Sequence, residues 1–145
     1  MASDFSYKID GLEELQNRLS AMGQEMAAKS IVGAAYSSNK QMLDAIQSTI
    51  VSNGSVDTGL LRDSITRKKL IYDKSGRVVI ITGVNKSVKG VDSKGRPRVP
   101  WRYAHLVEKT KPFMKPACER VRQAVIDEFI IHLLKKIKRF EKKGR

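Results

Sequence analysis

One cysteine, Cys118, stands in the whole chain, so no disulfide can close within it, and a cytosolic folding compartment is the expectation. Aromatic residues make up only 6% of the composition, with a single Trp, so a core must be built from Leu, Ile, Val, Met and Ala. That inventory suits helices with a modest sheet. Long apolar runs are also missing. The longest extend over a few residues, far below the ~20 that a membrane-crossing helix needs, and no membrane partner is expected. Residues Met1 to Asp10 lack a basic start followed by an apolar stretch, which argues against a secretory signal. Acidic residues are scarce as well. Against 28 Lys and Arg there are 15 Asp and Glu, leaving +13 on 145 residues, which points to a polyanion or an acidic protein as partner. A chain of this length predicts one domain over residues 1–145.

What is present is periodic. Phe5, Tyr7 and Ile9 alternate with Ser6, Lys8 and Asp10, a period of two that predicts a strand with one apolar face. Leu12, Leu15, Leu19 and Met22 recur at three and four residues and predict a short helix stopped near Gly23. A second helical pattern, rich in Ala, runs from about Gln24 to Val51 and breaks at Ser52 to Ser55. Asp57 or Thr58 is placed to cap a turn of helix over Gly59 to Ser64. Ile65 to Tyr72 and Arg77 to Val84 are rich in β-branched residues and flank Asp73 to Gly76, the pattern of a hairpin. Residues 86 to 102 hold Lys86, Lys89, Lys94, Arg96, Arg98 and Arg102 against Asp92 alone, with Gly and Pro breaks, and predict an exposed, flexible basic loop. Tyr103 to Lys109 predicts a further strand. A last amphipathic helix begins around Phe113 or Pro116 and reaches about Phe140, with a basic end over residues 135–145.

The constellations that could carry chemistry are few. Asp57-Thr58-Gly59 is the triplet of aspartic proteases, but it follows a polar turn instead of an apolar strand, so a turn with a helix cap accounts for it better. His105 and His132 have no Cys or carboxylate at a recognised metal spacing. Cys118 lies at the start of an amphipathic helix, where a buried thiol is commoner than a reactive one. Lys94 to Arg98 is similar to the core of a minor-groove hook, although a flexible basic loop kept irregular by Gly and Pro accounts for it better. No catalytic residue, metal ligand or cofactor is expected.

Four segments together resemble one family. Val56-Asp57-Thr58-Gly59-Leu60-Leu61-Arg62-Asp63-Ser64-Ile65 is similar to a "VDTG-x-L-x-x-SI" segment, and Tyr103 to Glu108 to a "YA-x-x-VE" strand. Lys111-Pro112-Phe113-Met114-Lys115-Pro116-Ala117 is similar to the "RPFLRPAL" that leads into a last helix, and Ile9 to Leu15 to a "hydrophobic-x-Gly-Leu-x-x-Leu" start. In this order they resemble tailed-phage neck or tail-completion proteins, the tail-component group named for the tenth gene product of a lambda-like siphophage and similar to minor tail protein Z of lambda. The chain departs from the pattern after Glu108, where Lys109-Thr110 replaces the usual Phe-Gly-Thr, and in the length of its basic loop.

The resemblance implies an α+β fold, with a small curved antiparallel sheet packed by a long central helix and a C-terminal helix. It further implies a structural virion protein, not an enzyme, that forms a ring at the joint of head and tail with genome DNA passing through the lumen. A hexamer is the first expectation for that ring. The partners implied are head connector or adaptor proteins and tail terminator or tail tube proteins, with assembly in the host cytoplasm. The alternative is a monomeric basic DNA-binding accessory protein. Lys89, Lys94, Arg96, Arg98 and Arg102 are the candidate contacts to DNA or partner. Asp57, Thr58 and Gly59 are expected to set the turn into the sheet, and Pro112, Phe113 and Pro116 to fix the angle at which the chain enters its last helix.

Overall fold

The computed structural model describes residues 12–72 and 77–144. The strand expected over Phe5 to Ile9 and the turn expected at Asp73 to Gly76 lie outside the described residues. Helix α1 (Leu12–Ala21) ends in a turn at Gly23, and α2 (Gln24–Ser38) follows. The single helix expected from Gln24 to Val51 is two helices, because α2 gives way at Asn39 to α3 (Lys40–Ser52). Asn39 stays near helical geometry, donating its N–H to Ala35 O and accepting that of Leu43, but its side-chain oxygen takes the hydroxyl of Thr82 from the sheet. Asn is prone to such competing bonds, and here one of them joins the helical layer to the sheet.

Next come the short helix α4 (Leu60–Asp63) and the strands β1 (Ile65–Tyr72) and β2 (Arg77–Val84). The strands pair antiparallel in an unbroken register from Ile65↔Val84 to Tyr72↔Arg77. Two very short strands, β3 (Gly90–Val91) and β4 (Pro97–Arg98), form a second antiparallel pair. Helices α5 (Pro100–Thr110) and α6 (Met114–Lys143) complete the described fold.

Helix α5 replaces the strand expected over Tyr103 to Lys109. Tyr103, Ala104, Leu106 and Val107 are dense enough in apolar character to read in either period, and Pro100 decides the matter. Proline suits the first turn of a helix, where its missing N–H has no partner to lose. From Pro100 the buried or half-buried positions fall at Tyr103, Ala104 and Val107, a helical spacing, while Leu106 stays 56% exposed.

Helix α6, about 45 Å long at 1.5 Å per residue, crosses two hydrophobic clusters. Around its start, Ala117 and the fully buried Phe113 pack with Ala45, Ile46 and Ile50 of α3, Leu61, Ile65 and Ala104. Near its end, Leu133 and Ile137 pack with Leu15 of α1, Met22 in the turn after it and Ala34 of α2. Helices α2 and α3 run antiparallel to α6: Gly33 faces Lys136, and farther along Arg120 donates to Ala45 O at 3.4 Å and Thr49 Oγ1 at 3.2 Å. Burial of each large aliphatic side chain here contributes roughly 1.5–3 kcal/mol, so α6 holds most of its stability through tertiary contact. The architecture is α+β, mostly helical, with a small antiparallel sheet and a long C-terminal helix.

Candidate functional site

The start of α6 is held by a residue outside that helix. Glu108, near the end of α5, accepts the N–H of Phe113 and of Met114 at 2.9 Å each on Oε2, and that of Lys115 at 3.2 Å on Oε1. Pro116 follows with no N–H to satisfy, so the free amides that open a helix are accounted for in sequence. Burial works against the ionised carboxyl, but the three amide donors outweigh it and hold Glu108 below its ordinary value. From the other side Asn53 donates to Lys111 O at 3.3 Å and Pro112 O at 3.4 Å, tying the end of α3 to the same junction. Pro112 and Pro116 are exposed, while Phe113 is buried beneath them. Sequence reasoning had the two prolines and Phe113 at this junction and missed Glu108, whose signal was an acid a few residues ahead of a helix start.

The Asp57-Thr58-Gly59 turn works differently from the cap expected of it. Gly59 itself occupies the N-cap of α4 in the left-handed region, φ 82°, and no side chain caps that helix. Gly59 O accepts the N–H of Asp63 at 2.9 Å, and the left-handed backbone there is why a glycine is needed. The Asp57 carboxylate is directed away from α4 and accepts the N–H of Ser93 at 3.0 Å, which lowers its pKa. Asp57 therefore fastens the turn to the β3–β4 hairpin. Thr58 is exposed beside it.

That hairpin occupies the middle of the basic segment, where the sequence pattern predicts a flexible loop. Its centre is Asp92, the single acid among the cations. One carboxylate oxygen accepts the backbone N–H of Lys94 and of Arg96, each at 2.9 Å; the other accepts Arg96 Nε at 2.8 Å and Arg98 Nε at 3.0 Å. The N–H of Arg96 first, with the guanidinium of Arg98 and the N–H of Lys94 behind it, lowers the Asp92 pKa to about 2. Gly95 sits at φ 73° and donates to Asp92 O at 2.9 Å, while Asp92 N–H reaches Arg96 O at 2.9 Å, the geometry of a tight loop closed by a left-handed residue. Lys94 to Arg98 is thus a folded turn and strand in place of an extended hook.

The five candidate cations divide accordingly. Arg96 and Arg98 are turned onto Asp92, whereas the side chains of Lys89, Lys94 and Arg102 are exposed and make no ion pair with a described residue. Arg102 belongs to α5 and not to the loop. Between the turn and the hairpin lies a cavity of about 500 Å³, bounded by Val56, Asp57, Leu60, Arg98, Tyr103 and Val107.

The remaining reactive side chains are placed as follows. Cys118 is half-buried against the core, and burial, assisted by Glu108 and Glu119, pushes its thiol up and away from the nucleophilic thiolate. His132 sits 3.0 Å from Glu128 one turn before it on α6, and His105 is exposed on α5. Among the described residues no group of three or more His, Cys, Asp or Glu is arranged to hold a metal ion. No helix of the described residues is long and apolar enough to cross a membrane.

Neither the curated proteins nor the solved structures contain a match to this chain. A family model does match, over residues 13–109, from the first turn of α1 to the end of α5; its description reads "Bacteriophage HK97-gp10, putative tail-component". The matched span is about two thirds of the chain and includes the turn at Asp57, the sheet, the Asp92 hairpin and Glu108. The chain belongs to the HK97-gp10-like family of bacteriophage tail components.

Proposed function

We propose that the protein is a structural, non-enzymatic part of the phage neck, closing into a homo-oligomeric ring, with six copies as the first expectation, that completes the tail and joins it to the head connector. Family membership carries this reading. Genome DNA passes through the lumen, the neighbours are head connector or adaptor proteins on one side and tail terminator or tail tube proteins on the other, and assembly takes place in the host cytoplasm. The charge supports a polyanion nearby, since Lys89, Lys94 and Arg102 are exposed while Asp92 organises the cations between them. Electron microscopy of the purified protein and mass spectrometry of purified particles test it together. A ring in the first and this chain in the second are expected; a monomer at every concentration, together with particles that lack the chain, refutes the reading.

The same exposed cations favour a second reading, a monomeric accessory protein that binds DNA. It requires tight binding whose salt slope falls by about one for each phosphate contact removed. A weak and flat binding curve at moderate salt eliminates it.

A further inference from the structure

A second depression, of about 1060 Å³, lies between the β1–β2 sheet and α5. Its floor is apolar: Val84, Ala104 and Met114 belong to or pack against the core at the start of α6. Two large side chains on it face solvent, Ile81 at 47% and Trp101 at 49% exposure. Lys68, Lys86, Arg102 and His105 stand at the rim, Lys86 lying 4.5 Å over the Trp101 ring, and among the described residues no carboxylate lines the groove. An occupant must offer apolar side chains to the floor and negative charge to the rim. A DNA strand satisfies only the second requirement.

The chain contains one segment with both properties. Residues 4–14 carry Asp4, Asp10, Glu13 and Glu14 against Lys8 alone, a net −3 in a chain of +13, and Phe5, Tyr7 and Ile9 alternate within it. The segment continues into α1, whose Leu15 packs with Leu133 and Ile137. The groove floor is at the other end of α6, since 19 residues of helix, about 28 Å, separate Met114 from Leu133. The point where the segment joins α1 and the acceptor groove therefore lie at different ends of α6, and a groove filled from the opposite end of a second copy is the arrangement that a head-to-tail contact requires and that closes into a ring when the rotation permits.

We infer that the segment around Phe5 to Glu14 of one copy docks in the Ile81–Trp101 groove of the next, with Phe5, Tyr7 and Ile9 on the floor and the carboxylates against Lys68, Lys86 and Arg102. This rests on the ring reading and names the surface by which the ring closes.

Charge exchange in the full chain tests it. Replacing Asp4, Asp10, Glu13 and Glu14 by Lys converts the wild-type oligomer to monomer in light scattering, as does replacing Lys68, Lys86 and Arg102 by Glu; combining both sets in one chain restores the oligomer. Because reversing Glu13 and Glu14 can fray α1, a second arm uses little-altered chains. A Cys118→Ser, Tyr7→Cys chain is mixed with a Cys118→Ser, Ile81→Cys chain, and a covalent dimer of the two is expected on mild oxidation. Rings that persist in both charge-reversed chains, with no mixed disulfide, overturn the inference and leave the ring reading intact. A wild-type chain that is monomeric throughout overturns both. A groove-reversed chain that keeps its oligomer and loses duplex DNA binding assigns the groove to DNA and overturns the docking.

Discussion

Replacing Glu108 separates a helix cap from an ordinary surface acid. In the native chain its carboxylate accepts three backbone donors at 2.9, 2.9 and 3.2 Å, at the start of a helix on which both hydrophobic clusters depend. Truncation at an N-cap costs about 1 kcal/mol, and bonds to a charged acceptor run higher, about 1.5–3 kcal/mol. Water reaches this junction and replaces part of what is lost, so Glu108→Ala is expected to cost about 2 kcal/mol. Glu108→Gln keeps one acceptor oxygen and loses the charge at the positive end of the helix dipole, a cost of about 1 kcal/mol. Urea denaturation followed by circular dichroism at 222 nm measures both. The pH dependence is a second check. The folded carboxyl lies below its ordinary value of 4.5, so the unfolded chain binds the proton more readily. The cap's contribution is complete above that ordinary value and is lost as pH falls through the lower folded one, where wild type and Gln variant converge. If both variants match wild type within the error of the midpoint at neutral pH, Glu108 is not the cap of α6.

Three further outcomes follow from the same geometry. Asp92→Asn keeps an acceptor for the backbone amides and releases Arg96 and Arg98, so faster hydrogen exchange at Lys94 and Arg96 is expected in the variant. In the wild type Asp92's contribution is present above its ordinary 3.8 and lost only as pH falls through about 2, so protection that collapses near pH 4 contradicts the hub. Gly33→Ala adds a methyl that meets Lys136 Nζ at 2.8 Å and Cε at 3.0 Å; this is the far end of a flexible side chain, which swings aside. A mid-helix Ala then gains about 0.5–1 kcal/mol over Gly, visible as a higher denaturation midpoint, and a lowered midpoint counts against that freedom. The Cys118 thiol, pushed up by burial, is expected to react with a disulfide reagent at pH 8 several-fold more slowly in the folded chain than in urea; equal rates contradict its packing.

Much of the fold was legible because it is written in local periods. Leu12, Leu15, Leu19 and Met22 specify α1 by spacing alone, and the β-branched runs around Asp73 to Gly76 specify the β1–β2 pairing. Two readings failed for local reasons of their own. Tyr103 to Lys109 carries apolar residues in both phases, and the deciding signal, Pro100, stands before the run; Asn39 interrupts the 24–51 pattern inside the polar run Ser37 to Gln41, with no Gly or Pro to mark the break.

The candidate site was legible as a set of residue types and not as an arrangement. The sequence by itself determined the charge excess, its concentration between Lys86 and Arg102, the single thiol and the motifs that resemble a phage tail component, because these depend only on which residues are present and in what order. Only the tertiary structure decided that Asp57 reaches Ser93 across 36 positions and leaves the helix beside it uncapped, that Asp92 takes two of the five candidate cations for itself, and that Glu108 caps α6. Each of these is a carboxylate choosing among donors. Local sequence shows the carboxylate, but the folded backbone sets which donors reach it: for Asp57 the packing of a separate hairpin, for Asp92 and Glu108 the turn that brings the following amides back onto the carboxylate.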